Sequence, residues 1–105
     1  MGRRKNKLPP FVAIPKEMLR TEAWESISNP ARVAYLHLKD KCVSYNPGEI
    51  TLSFKEMERI MDRHTFKKAV NQLEDHGFIK KEQRGGLYRK RNYYRLIDQW
   101  KDKGA

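Results

Sequence analysis

The sequence predicts a single α+β domain in which three helices and a short strand are followed by a two-stranded hairpin. Three observations lead to it. Apolar residues recur at helical spacing in two stretches, Ala31 to Cys42 and Phe66 to Leu73. Cap and stop signals bracket them: Ser28-Asn29-Pro30 and Asp62 ahead, Gly77 behind. Two strand-like runs, one beginning at Phe78-Ile79 and one from Asn92 to Ile97, flank a basic stretch around Gly85-Gly86. The chain has 105 residues, a length for one domain with a short segment at either end.

Residues 1–10 are basic and end in Pro9-Pro10, which reads as a flexible arm. A short helix is expected from near Pro15, with Met18, Leu19, Trp24 and Ile27 as core contacts. Ser28 and Pro30 then cap and open a helix over about 30–42. Its inner stripe is Ala31, Ala34, Tyr35, Leu38 and Cys42, broadened by Val33 and Leu36. Asn46-Pro47-Gly48 makes a turn, and Glu49 to Ser53 alternates as a short strand. Ser53-Phe54-Lys55-Glu56 matches a capping box and starts a helix whose apolar face is Phe54, Met57, Ile60 and Met61. Asp62 caps the next helix, about 63–76, which buries Phe66, Ala69, Val70 and Leu73 and stops at Gly77 with His76 at its C-terminus. Glu82 to Arg91 is the expected hairpin tip. Tyr94 and Leu96 share one face of the returning strand, Tyr93 and Arg95 the other. Two helices joined by a few residues and followed by a hairpin make a winged helix-turn-helix architecture: a three-helix core with a short strand and a two-stranded β-hairpin wing. The domain runs over 11–97, and a polar tail at 98–105 closes around Trp100, with no internal repeat.

Lysine and arginine total 23 against 13 acids, a net charge of +10. A chain this small with that excess is drawn to polyanions, nucleic acid or an anionic membrane surface. No apolar run approaches the roughly 20 residues of a membrane span, and the basic N-terminus is not followed by the apolar region of a signal peptide. The lone Cys42 excludes an intrachain disulfide and fits a reducing cytoplasm. His37, His64 and His76 are scattered, so no metal site and no cofactor are expected. Gly85-Gly86 lacks the residues of a phosphate-cradling loop, and no catalytic set can be assembled, so an enzyme is not expected.

The run Leu52-Ser53-Phe54-Lys55-Glu56, Met61 to Phe66 and Leu73 to Ile79 resembles the winged helix-turn-helix DNA-binding family. With Phe11 to Pro15, Trp24, Pro30-Ala31-Arg32, Tyr35-Leu36 and Asn92 to Leu96, the chain is similar to small replication-associated or uncharacterised proteins of phages, plasmids and mobile elements. The resemblance implies binding to double-stranded DNA, in transcription regulation or in replication.

The residues agree with that implication. The third helix turns Arg63, His64, Thr65, Lys67, Lys68, Asn71 and Gln72 outward. Long donors, amides and small polar groups near a helix N-terminus are what a major groove reads. Lys80, Lys81, Arg84, Arg89, Lys90, Arg91 and Arg95 crowd the hairpin with Glu82 as the one acid among them; Arg84, Arg89, Lys90 and Arg91 are the expected phosphate contacts. Tyr88 and Tyr93 are further donors, and Arg3 and Arg4 of the arm, with Lys5 and Lys7, can follow the backbone. No small-molecule ligand and no membrane is expected. Two rival readings stay open, a protein-docking module and RNA binding, as does assembly into a homodimer on paired half-sites.

Overall fold

The computed structural model describes residues 9–42, 49–84 and 91–103. It is α+β. In order come α1 (Lys16–Leu19), α2 (Glu22–Ser26), α3 (Asn29–Lys41), α4 (Phe54–Met57), α5 (Arg63–Asp75), β1 (Ile79–Arg84), β2 (Arg91–Leu96) and α6 (Trp100–Lys103). Among the described residues no helix is long and apolar enough to cross a membrane. The strands form an antiparallel pair running from Ile79 opposite Leu96 to Arg84 opposite Arg91.

Local chemistry accounts for the helix starts. The Ser28 hydroxyl accepts the Ala31 N–H at 3.3 Å, with proline in the first turn. Thr21 does the same for α2, accepting the Trp24 N–H at 3.2 Å. Ser53 and Glu56 satisfy each other's backbone donors at the start of α4. Asp62 accepts the Thr65 N–H at 2.7 Å and begins α5. The carbonyl end of α2 is held by Arg32, whose guanidinium donates to the Trp24 and Glu25 carbonyls and lies over the Trp24 ring.

Helix α5 ends in a Schellman arrangement. The Phe78 N–H reaches back to the Leu73 carbonyl at 2.9 Å and the Gly77 N–H to the Glu74 carbonyl at 3.3 Å. Gly77 has φ +83°, open to glycine at no cost. Its carbonyl accepts the Trp100 N–H at 3.1 Å, so the chain end is laid directly over the helix stop. Phe78, fully buried, sits edge-on to Trp24 and Tyr35 and stacked on Trp100, with ring centroids at 5.8, 5.7 and 6.3 Å. Burial pushes the Tyr35 hydroxyl up to about 12. Around this cluster lie Met18, Leu38, Met57, Leu73 and Ile79, each at most 1% exposed. Trp24 and Trp100 are therefore packing residues, and the segment expected as a polar tail supplies part of the core.

Several expectations need correction. The strand over Glu49–Ser53 is a single bridge, Ile50 exchanging both backbone hydrogen bonds with Tyr94. The ladder cannot continue, because Ser53 must turn away to cap α4. Helix α4 has four residues and stops short of Met61, since Asp62 takes the extended backbone of a cap (φ −80°, ψ 171°) and the intervening residues form the turn. Ile60 consequently leaves the apolar face and is 49% exposed. Leu19 and Leu36 are exposed as well, and a second short helix, α2, follows the one expected from near Pro15. β1 extends to Arg84 and β2 begins at Arg91, so residues 82–84 and 91 of the expected tip 82–91 belong to the strands. The turn at Asn46-Pro47-Gly48 and the arm over residues 1–8 lie outside the described residues, as do 85–90.

Candidate nucleic-acid interface

Helix α5 buries Phe66, Ala69, Val70 and Leu73 on one stripe, as the spacing predicts. At about 100° per residue its remaining positions divide into three sets. Arg63, Lys67 and Glu74 fall on the flank toward the hairpin, His64, Lys68, Asn71 and Asp75 on the outer crest, and Thr65 and Gln72 on the far flank. Arg63, His64, Lys67, Lys68 and Asn71 are exposed, and Thr65 is half-buried. Gln72 is a correction: its side-chain oxygen accepts the Ser28 N–H at 2.8 Å, fastening α5 to the start of α3. It serves the fold and not the outer face.

Between α5 and the hairpin lies a cleft of about 740 Å3. Arg63, Lys67 and Asn71 line it from α5, Lys81 and Asn92 from the strands, and Thr51 and Ser53 from the entry to α4. Leu52, Phe54, Phe66, Val70 and Tyr94 supply apolar surface. Glu56 is the one acid among the lining residues, and its charge is matched locally. Lys41 forms an ion pair with it, and the Ser53 N–H donates to it at 3.0 Å. Those two contacts, Lys41 first, hold its carboxyl below the usual range. Among the described residues no carboxylate forms an ion pair with Arg63, Lys67 or Lys81. Its rim carries the three cations Arg63, Lys67 and Lys81, none in an ion pair among the described residues.

The hairpin sorts its side chains by the two-residue period. Ile79, Lys81, Asn92, Tyr94 and Leu96 share the face toward the core, with Lys81 opposite Tyr94, while Lys80 and Arg95 pair on the other and are exposed. The Lys81 N–H donates to the Glu74 carboxylate at 3.4 Å, which ties the root of β1 to α5. Arg84 and Arg91 were expected at the tip but occupy the last register pair of the ladder. Arg89, Lys90 and Tyr88 fall outside the described residues, as do Arg3, Arg4, Lys5 and Lys7. The fold thus assembles Arg63, Lys67 and Asn71 in one cleft and leaves His64 and Lys68 on the crest beside it.

Three contributors escaped the sequence reading. Lys81 is one of many wing cations in the sequence, yet its two-residue spacing from Ile79 puts it on the inner face of β1. Asn92 carries the same signal. Phe54 was read as core alone, and its ring carries the Arg63 guanidinium, Cζ lying 4.5 Å from the centroid. No short-range pattern joins those two residues. The His76 ring does sit at the helix end, Nδ1 lying 3.0 Å from the Gln72 carbonyl. Among the described residues no cluster of His, Cys, Asp or Glu could hold a metal. Comparison with known proteins returns no match, neither a family, nor a curated protein, nor a solved structure.

Proposed function

We propose that this chain is a winged helix protein that binds double-stranded DNA, with α5 in the major groove and the hairpin on the phosphate backbone. One observation carries the reading: Arg63, Lys67 and Lys81 converge on a cleft between helix and hairpin with no carboxylate paired to them among the described residues. A cationic cleft beside a protruding polar helix matches what a duplex offers, a groove of base edges bounded by phosphates. His64, Lys68 and Asn71 on the crest supply base-edge or phosphate contacts, and Arg63 and Lys67 bridge crest and cleft. The exposed apolar residues Phe11, Leu19, Leu36 and Ile60 all lie off α5, which disfavours that helix as a protein-docking face. The motif resemblance extends the proposal to a cytoplasmic regulator of transcription or a replication-associated factor.

Fluorescence anisotropy with a labelled random-sequence duplex of about 25 base pairs tests it, read at several salt concentrations. If about six phosphates are neutralised, log K falls against log salt with a slope near −5. The Arg63→Ala/Lys67→Ala/Lys68→Ala variant binds more weakly and with a shallower slope. Absence of binding at low salt overturns the proposal and redirects attention to protein partners.

A further inference from the structure

An arginine at the first position of a helix has a long side chain and, on an open surface, many rotamers. Binding that requires one of them loses affinity to the ordering. Arg63 is exposed, yet its guanidinium lies over the Phe54 ring at 4.5 Å. Phe54 is itself held from two sides. It is the first residue of α4, enclosed by the Ser53–Glu56 capping box, and its ring packs against Phe66, centroids 6.3 Å apart and tilted by 50°. Phe66 belongs to the buried stripe of α5. A continuous chain of contacts therefore runs from the core through Phe66 and Phe54 to the guanidinium. A guanidinium held over a ring can still donate N–H bonds to an oxygen acceptor. Those donors belong to a residue lining the cleft and engage no carboxylate among the described residues.

We propose that Phe54 is the positioning residue for Arg63, holding its guanidinium in one orientation before nucleic acid arrives. The inference rests on the duplex-binding reading above and adds to it a residue that acts through Arg63. Phe54 acts by limiting where Arg63 can be, so its replacement matters only while Arg63 is present.

Two measurements test it. In the free protein, 15N relaxation at the Arg63 Nε–Hε reads side-chain order directly; a rigid signal is expected in the wild type and a mobile one in Phe54→Leu. On the random 25-base-pair duplex, Phe54→Leu weakens binding about two- to five-fold, the scale of an exposed cation–π contact. Phe54→Trp restores it, and Phe54→Leu has no further effect in an Arg63→Ala background. An Arg63 Nε–Hε as mobile in the wild type as in Phe54→Leu overturns the positioning role without touching the duplex reading. So does an equal loss from Phe54→Leu with and without Arg63. A rigid Nε–Hε in a wild-type protein that fails to bind duplex at low salt overturns the duplex reading, and with it the purpose given to the stack.

Discussion

The two ends of α5 are built in opposite ways. At its C-terminus the backbone is tied back: Gly77 and Phe78 close the carbonyls of Glu74 and Leu73, and Trp100 donates to Gly77 and stacks on Phe78. At its N-terminus one exposed carboxylate, Asp62, caps the turn, and beyond it Arg63, His64 and Lys67 face solvent or the cleft. A helix can present unsatisfied chemistry at one end only if the other is anchored firmly enough to hold its direction. On the duplex-binding proposal, the difference separates stability from recognition along this one element.

Substitutions sharpen or break that separation. Trp100→Ala, at the anchored end, lowers unfolding stability by about 3–5 kcal/mol in urea titrations, since a large side chain 5% exposed leaves a cavity. Gly77→Ala follows. The positive φ alone costs about 1–3 kcal/mol. An added Cβ also meets the Gln99 carbonyl carbon and the Trp100 nitrogen at 2.9 Å, both backbone atoms that cannot swing aside. Both variants keep wild-type duplex affinity when assayed well below their melting temperatures; a large loss of affinity there breaks the separation. Arg63→Ala or Asn71→Ala does the reverse. Either weakens binding to a preferred duplex by about 1–3 kcal/mol and shifts stability by less than about 0.5 kcal/mol. Lys68→Ala is milder, reducing the salt slope by about one and affecting all sequences alike.

The smallest effect is acid sensitivity at the start of the two helices. Glu56 is held below its ordinary value by Lys41 and Ser53, and Asp62 by the Thr65 backbone N–H. Both are carboxyls with a depressed folded pKa. Their contribution is whole above the unfolded values of 4.5 and 3.8 and is lost as pH falls through those values toward the folded ones. Melting temperatures at pH 7 and pH 3 should therefore differ less for Glu56→Gln/Asp62→Asn than for the wild type. Asparagine retains the capping oxygen, so the comparison isolates charge.

Much of the anchored frame was legible in the residues. Ser28, Ser53 and Asp62 announce their helices because a cap bonds a donor only two or three residues away. Phe66, Ala69, Val70 and Leu73 announce a buried stripe because the helical period is local. The outer set on α5 follows by subtraction, which takes in one residue too many. Gln72 looks like any polar crest residue until Ser28, 44 positions earlier, is brought against it. The Glu49–Ser53 alternation was real, but alternation does not reveal whether a partner strand runs alongside, and only Ile50 meets one.

By itself the sequence determined where α3 and α5 begin, which residues of α5 turn inward, where that helix stops, and that the surface would carry a large positive charge. Each depends on neighbours within a turn or two, or on composition alone. The tertiary structure decided the Ile50–Tyr94 bridge, the Gln72–Ser28 tie, the seating of Trp100 on Phe78, the Arg63–Phe54 stack and the cleft that gathers Arg63, Lys67 and Lys81. These join segments distant along the chain, and their geometry is set by how helices and hairpin pack around the shared core, which no local pattern encodes.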